Sequence, residues 1–399
     1  MTSTLPPSPD VLPDISPVPS YSTEPKSGQV NIAGSPLAKT SHREDEKLES
    51  KASNDHSDLG TSRRETDHSE YISSKTARPD NTPVQVLVLP FTSRTISYAT
   101  YGPPSQTTLF ILHSLPGSRL EASLFASLAT EHDVRVIGVD RPGYGMASFD
   151  GSRAVRDYAT DIQALADHLG IAQFSVLGLS GGGAYALSCA LSIEPTRLLA
   201  TGVYDGIGPV HQTGVLHMGL SLRDKITWAL FAHSASLGQW AGRRWLSRKE
   251  IQADPAKLSK RLSKRIRRIH DPATKSSYED QQETIVRSRC EALRQGPEGF
   301  FADMGLLAGD WGFKVVDIPK DRRIVLRYSS TNRKDRTKMG RWICSRLGGR
   351  EVDHLRAGPE GGPVGRGPST QLRVFRQDLP EFLSDEHRSE LFKSIMSIP

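Results

Sequence analysis

The chain has 399 residues, with 51 basic and 45 acidic side chains and a net charge of +6. The length suits one large α/β domain with appendages, and so slight a basic excess argues against a dedicated nucleic-acid-binding protein. No apolar run is long enough for an integral membrane segment, and none follows the first methionine as a secretory signal would. Cys189, Cys290 and Cys344 match no metal-ligand spacing, which favours free thiols in the reducing cytoplasm.

The first segment, residues 1–82, is rich in Ser, Pro, Asp, Glu, Lys and Thr and nearly free of large apolar side chains. Such a segment cannot bury enough surface to offset the entropy lost on ordering, so we predict a disordered N-terminal tail. Two apolar runs follow, at 84–90 and 95–101. They predict a leading pair of strands that form a hairpin.

Apolar runs at 107–112 and 134–139 are typical of buried strands, and a loop rich in Gly and Pro follows each one. The first loop, 113–118, reads His-Ser-Leu-Pro-Gly-Ser. The second, 140–145, reads Asp-Arg-Pro-Gly-Tyr-Gly. Apolar residues then recur at helical spacing over 154–169. This succession of strand, turn and helix predicts an α/β fold with a mostly parallel, doubly wound sheet.

The next strand runs into Ser180, which lies at the centre of a Gly-x-Ser-x-Gly pattern followed by a helical run. A serine on so cramped a turn needs small residues two positions before and after it, here Gly178 and Gly182. The turn would lift the Ser180 Oγ clear of the sheet, and the N–H of Gly181 could face a developing oxyanion. The alternative is a glycine-rich connection without chemistry, which the flanking strand and helix disfavour.

These three loops, in this order and spacing, resemble those of the α/β-hydrolase superfamily. The likeness covers about 84–399 and is strongest over 94–209. It implies a hydrolase core in two parts, 83–208 and 300–399, with a helical cap at 209–299 between them. A serine at the turn argues against the dehalogenase and epoxide hydrolase members, which use aspartate there. The resemblance implies a small-molecule substrate and no cofactor, and the sequence has no metal-ligand, phosphate-loop or dinucleotide pattern.

Within the predicted cap, apolar residues recur at helical spacing in two stripes. One consists of Leu222, Ile226, Ala229 and Leu230, and the other of Leu258, Leu262, Ile266 and Ile269. The aromatic and aliphatic cap residues indicate an apolar acyl or alcohol group in the substrate, or simply form the core of the cap itself. The second helix is rich in Lys and Arg, which fits either a solvated face or a surface for acidic ligands or membranes.

The resemblance implies that Ser180 is the nucleophile and that the N–H groups of Leu115 and Gly181 hold the oxyanion. Ser114 stands where the family has glycine, so we expect the Leu115 donor to be slightly misaimed. The acid would follow a strand at 324–328, where the family position holds Asn332 instead of aspartate. Asp335 is the first substitute for it, and Asp205, after the preceding strand, is the second.

The base is harder to place. Counting back from a predicted closing helix at 385–396, the family's histidine position holds Pro380. His387, in the first turn of that helix, is the first candidate base and His354 the second, although each also fits a surface position. His113 is implied to be structural. The Gly- and Pro-rich run 358–368 fits a long flexible loop or an altered reading of the gene, and both interpretations stay open.

Two functions follow from these patterns. The first is a serine hydrolase that cleaves an ester, thioester or amide of a small organic or lipid-like substrate through an acyl-enzyme on Ser180. The alternative is a degenerate α/β-hydrolase with weak or no hydrolytic activity that acts as a binding or regulatory protein. Asn332 and Pro380 favour this alternative. A scaffold whose function resides in the N-terminal tail has little support from the sequence.

Overall fold

The structure is a computed structural model and describes residues 84–89, 92–212, 222–234, 236–238, 240, 254–330, 336–351, 370–376 and 384–397. All of them belong to one compact unit, His68–Pro399. A second unit, Met1–Asp67, lies outside the described residues, and so does the whole of the predicted tail 1–82.

The strands are β1 Gln85–Val88, β2 Thr95–Tyr101, β3 Thr108–Leu112, β4 Arg135–Val139, β5 Phe174–Leu179, β6 Leu198–Tyr204, β7 Ile324–Ser330, β8 Arg350–Glu351 and β9 Thr370–Arg376. They form one sheet in the order β1-β2-β4-β3-β5-β6-β7-β9-β8. β2 pairs antiparallel with β1 and with β4, and the other neighbours are parallel. The mostly parallel sheet and its leading hairpin are therefore confirmed.

The helices are α1 Ala126–Glu131, α2 Tyr158–His168, α3 Gly182–Ser192, α4 Leu222–His233, α5 Pro255–Ile266, α6 Pro272–Ala292, α7 Glu298–Ala308, α8 Thr337–Arg346 and α9 Asp385–Met396. Short 3-10 segments lie at Arg119–Phe125, Val155–Asp157 and Val315–Asp317. Among these helices, none is long and apolar enough to cross a membrane.

Strand β3 shows how the sheet separates two cores. Its Phe110 and Leu112 join one core with α2, α3 and α8, while Leu109 and Ile111 join the other with the 3-10 segment before α1 and with α9. All four side chains are buried because successive residues of a strand point to opposite faces of the sheet, and helices cover both faces here. The prediction of a doubly wound α/β sheet is confirmed.

The second apolar stripe of the predicted cap packs as expected. Leu262 and Ile266 of α5 are buried against Tyr278 and Ile285 of α6, and Leu258 and Ile269 are partly buried beside them. The serines on the inner side of α5 hydrogen-bond across to α6, where Gln282 bonds both Ser259 and Ser263. The two helices therefore form an antiparallel pair with its own small core.

The first stripe is wrong for its first two residues, while Ala229 and Leu230 are half-buried. Leu222 and Ile226 of α4 are 75% and 55% exposed, whereas Trp228 and Phe231 are buried. Phe231 stacks on Phe301 of α7, with ring centroids 6.3 Å apart. The two aromatic residues are three positions apart and remove more apolar surface from water than the aliphatic pair, so they determine which face of α4 turns inward.

Candidate functional site

Ser180 occupies a strained turn between β5 and α3. Its φ is +50°, a value that residues other than glycine rarely adopt. Its N–H donates to the carbonyl oxygen of Tyr204 at 2.8 Å, and its carbonyl oxygen accepts from Gly183 N–H at 3.0 Å. Such strain persists only where the surroundings enforce it, and it is concentrated at functional sites.

At Gly178 and Gly182, the two glycines of the pattern, neighbouring backbone atoms leave no room for a Cβ. A Cβ at Gly182 would lie 2.1 Å from the carbonyl oxygen of Leu112, at the end of β3. A Cβ at Gly178 would lie 2.3 Å from the carbonyl oxygen of Gly182. Both obstacles are backbone atoms, which cannot move aside as a flexible side chain can. The sequence prediction of small residues on either side of Ser180 therefore has its physical cause in this turn.

The loop 113–118 lies directly beside the start of α3. A Cβ at Gly181 would be 2.7 Å from the Cβ of Leu115. The two residues named from the sequence as oxyanion donors are thus neighbours in space. An oxyanion hole needs two N–H groups that can approach one oxygen atom, and this proximity meets the first requirement for one.

A buried carboxylate anchors that loop through Ser114. The Ser114 N–H donates to Glu121 Oε2 at 2.7 Å, and its Oγ donates to Glu121 Oε1 at 2.5 Å. Ser288 of α6 donates to the same carboxylate at 3.4 Å and accepts from Ser118 N–H at 2.8 Å. Burial raises the pKa of Glu121. Ser114 is not among the residues with positive φ, and its hydroxyl anchors the loop, while the predicted misalignment of the Leu115 N–H stays a prediction.

Arg141 supports the loop from the opposite side. This arginine is fully buried and donates to the carbonyl oxygens of His113 and Ser114, the latter at 3.1 Å. Its Nε and Nη2 donate to Asp303 Oδ2 on α7 at 3.0 and 2.8 Å. Tyr144 donates to the same oxygen at 2.8 Å. Helix α7, at the end of the predicted cap, therefore connects to the loop 113–118 through one buried ion pair.

His113 is a structural residue, as the resemblance implies. Its Nδ1 lies 2.9 Å from the carbonyl oxygen of Ser114, and its Nε2 accepts the Arg141 N–H at 3.1 Å. The ring is therefore neutral with its proton on Nδ1. Burial, and next the charge of Arg141, hold the pKa of His113 well below its usual range. Both ring nitrogens are committed, so this histidine does not serve as a base.

The hydroxyl of Ser180 contacts an arginine. Ser180 Oγ accepts a hydrogen bond from Arg336 Nη1 at 3.2 Å, and the same nitrogen donates to the carbonyl oxygen of Asp205 at 2.8 Å. Arg336 directly precedes α8. A guanidinium stays protonated in proteins, so it cannot accept the proton of the serine. Sequence reasoning missed Arg336, because a single arginine after a turn carries no motif.

Asp205, the second candidate acid, lies at the end of β6 with a φ of +48°. Its Oδ1 accepts the Ser329 N–H at 2.6 Å, and its Oδ2 accepts the Ser329 hydroxyl. Burial raises the pKa of Asp205, while the nearby charge of Arg336 opposes that rise. The structure thus brings Asp205 close to Ser180 but engages its carboxylate with β7.

His387, the first candidate base, lies in the first turn of α9. Its Nδ1 is 2.9 Å from Ser384 Oγ, and Ser384 caps the helix by accepting the His387 N–H at 3.4 Å. Asn332, Asp335, His354, Pro380 and the run 358–368 lie outside the described residues. Within the described ranges there is no group of three His, Cys, Asp or Glu residues that could hold a metal ion.

A family model for the alpha/beta hydrolase family matches residues 109–361 of this chain. The match spans more than half of the sequence and includes the loop 113–118, Ser180 and Arg336. The chain belongs to the alpha/beta hydrolase family. A search of curated protein sequences found no match.

Solved structures agree with this assignment of the fold. An esterase from Rhodococcus sp. ECU1013 is 14% identical, with a TM-score of 0.51, and the match covers 79% of this chain and 99% of the esterase. An esterase from Exiguobacterium antarcticum is 16% identical, with a TM-score of 0.50, and the match covers 78% of this chain and 99% of the esterase. At these identities the likeness shows the fold alone.

Proposed function

We propose that this alpha/beta hydrolase is a serine hydrolase that cleaves an ester, thioester or amide of a small organic or lipid-like substrate through an acyl-enzyme on Ser180. The supporting observation is the strained turn that presents Ser180 while Leu115 and Gly181 lie side by side next to it. Because the similar structures named above are esterases, carboxylic esters come first among these substrates.

In the proposed reaction, Ser180 Oγ attacks the carbonyl carbon and its proton passes to a base. The carbonyl electron pair moves onto oxygen, where the N–H groups of Gly181 and Leu115 stabilise the negative charge. Each such donor contributes about 3 kcal/mol to transition-state stabilisation. Collapse of the resulting tetrahedral intermediate breaks the bond between the carbonyl carbon and the leaving group, and the leaving group takes the proton from the base. Water then hydrolyses the acyl-enzyme by the same steps and regenerates the hydroxyl.

For the base we keep His387, oriented by Asp335, as the proposal from chain order. The bond from Arg336 does not exclude a base, because a hydroxyl oxygen can accept one hydrogen bond while its own proton is donated elsewhere. For His387 to act, its Nδ1 or Nε2 has to reach Ser180 Oγ, whereas in the structure Nδ1 contacts Ser384 Oγ. Asp205 is the alternative orienting acid, which would require its carboxylate to release Ser329.

A binding or regulatory protein with this fold is the second candidate. The observation that favours it is the hydrogen bond from Arg336 Nη1 to Ser180 Oγ. The arginine is a charged donor at the serine hydroxyl, and it cannot accept the proton of that hydroxyl. In this alternative the protein binds its ligand beside Ser180 without cleaving it.

Labelling with a fluorophosphonate probe tests the proposal without knowledge of the substrate, because the probe reacts with activated serines. Wild type should be labelled and Ser180→Ala should not, while Ser192→Ala, at the exposed end of α3, should be labelled like wild type. Labelling retained in Ser180→Ala would contradict the proposal. A folded wild type that is not labelled would support the binding protein instead.

His387→Ala in the same assay tests the base. Loss of labelling in a folded variant would support His387. Labelling at the wild-type rate would exclude it and direct the search to the histidine His354.

A further inference from the structure

Arg336 places a positive charge directly at the candidate nucleophile. Its Nη1 is 3.2 Å from Ser180 Oγ and 2.8 Å from the carbonyl oxygen of Asp205. Both acceptors are uncharged groups, so these two hydrogen bonds leave the charge of the guanidinium without a contacting anion.

Three arginines that are more deeply buried than the half-buried Arg336 have ion pairs, whereas Arg322 is buried with a backbone acceptor, the carbonyl oxygen of Ala190. Arg119 contacts Asp140 at 2.6 Å, Arg141 contacts Asp303 at 2.8 Å, and Arg327 contacts Glu390 at 2.6 Å. Each of them thus has a carboxylate within hydrogen-bond distance. We expect such pairing because an unpaired charge in the protein interior costs much free energy.

Arg336 has no such ion pair among the residues that the structure describes. The charge of Arg336 opposes the rise in the pKa of Asp205, yet Ser329 binds both oxygens of that carboxylate. The Nε of Arg336 is buried and has no hydrogen-bond partner in the described part of the chain. A buried donor left unpaired costs free energy, so the contacts around this guanidinium within the described residues are incomplete.

We propose that Arg336 binds a carboxylate group of the substrate, close to the carbonyl carbon that Ser180 attacks. The planar fork of a guanidinium matches the two oxygens of a carboxylate. Because Nη1 already reaches Ser180 Oγ, an anion held there would lie only a few bonds from the scissile carbonyl. The substrate class is therefore a short ester that also carries a free carboxylate. This inference rests on the proposed function, since it names the substrate class of the same site.

Binding to full-length Ser180→Ala, which cannot turn the ligand over, tests this site by calorimetry. Monomethyl succinate carries the carboxylate on the acyl side of its ester, and acetoxyacetate carries it on the alcohol side. Each is compared with the neutral analogue in which the carboxylate is a carboxamide. We expect at least one acid to bind about 10-fold more tightly than its amide, as for a charge-assisted hydrogen bond. The acid with the larger preference identifies the side of the ester.

Second-site variants in the same Ser180→Ala background test the arginine. Arg336→Gln should abolish the preference for the acid, and Arg336→Lys should keep part of it, since it retains the charge but loses the fork. Arg346→Gln is the matched control, because Arg346 is exposed at the far end of the same helix and stacks on Trp342. It should preserve the full preference. Thermal unfolding of each variant confirms that it is folded.

Two results would overturn the inference. One is that neither acid binds more tightly than its amide. The other is that Arg336→Gln keeps the preference, or weakens acid and amide equally, as a purely structural arginine would. Fluorophosphonate labelling separates this inference from the proposed function. A folded wild type that resists labelling but prefers the acid through Arg336 would contradict the acyl-enzyme and support the anion site.

Discussion

The two sides of Ser180 are built on different principles. On one side, the loop 113–118 is held by Glu121 and by the Arg141–Asp303 pair, and every one of these charges is buried with hydrogen-bond partners. On the other side, the hydrogen bonds of Arg336 to described residues go to two uncharged acceptors, Ser180 Oγ and the carbonyl oxygen of Asp205. We call these the loop side and the arginine side.

The difference indicates that the loop side is held rigidly by ion pairs within the protein. On the arginine side, we propose that a ligand provides the anion. Buried charges whose hydrogen bonds are all made hold the loop 113–118 rigidly. Breaking any one of these bonds costs much free energy, because the dielectric constant around them is low. Arg336 contacts no carboxylate of the described ranges, which is why we propose that a ligand supplies one. Breaking the ion pair on the loop side or altering the turn should therefore have larger effects than a substitution at the start of α9.

The largest effect is expected for Asp303→Ala, which leaves Arg141 buried without its anion. Removing one partner of a buried pair costs about 3–5 kcal/mol of the free energy of unfolding. Urea denaturation measures this loss, and Glu194→Gln, at an exposed site, should change little. If the double variant Asp303→Leu with Arg141→Met were no more stable than Asp303→Ala, the loss could not be assigned to an uncompensated charge.

Gly182→Ala should have the next largest effect. The added Cβ meets the carbonyl oxygen of Leu112 at 2.1 Å, and such overpacking costs about 1–3 kcal/mol. We also expect loss of fluorophosphonate labelling because the turn that holds Ser180 must shift. Gly305→Ala in α7 is the control, since nothing lies within 4 Å of its added Cβ. It should stabilise the protein by about 0.5–1 kcal/mol, and a similar gain for Gly182→Ala would contradict the strained turn.

Ser384→Ala removes the cap of α9 and should cost about 1 kcal/mol of the free energy of unfolding. It also removes the contact of His387 Nδ1, so it probes the base proposed above. If His387 has no part beyond its contact with the Ser384 cap, the labelling rate at Ser180 stays that of wild type. A changed rate in a variant of nearly wild-type stability would instead connect His387 to the serine.

The smallest effect concerns the pH dependence of stability. Burial raises the pKa of Glu121 in the folded protein above its value in the unfolded chain, so the folded state holds that proton more tightly. Its contribution to the free energy of unfolding therefore falls as pH rises from about 4.3, the ordinary glutamate pKa, through the raised pKa. Glu121→Gln lacks this titration.

The difference in the free energy of unfolding between Glu121→Gln and wild type should accordingly shift in favour of the variant as pH rises. Urea denaturation at a series of pH values measures it. A shift in the opposite direction would mean that the bonds from Ser114 outweigh the burial of the carboxylate.

Much of the fold could be predicted from local pattern. The predicted closing helix, 385–396, has the bounds of α9, and the predicted strand 95–101 has those of β2. The apolar period and the turn residues that indicate such elements are contained in short stretches of chain. The face of α4 could not be predicted in this way, because Phe231 packs on Phe301, seventy residues later in the sequence.

The sequence by itself determined the alpha/beta order, the strained turn and Ser180 at its centre, because each depends on neighbours within a few residues. Only the tertiary structure decided what surrounds the serine. Arg336 is 156 positions from Ser180, and Asp303 is 162 positions from Arg141, yet both pairs are in hydrogen-bond contact. Such contacts depend on how the helices after the sheet strands pack back onto it, and no local pattern encodes them.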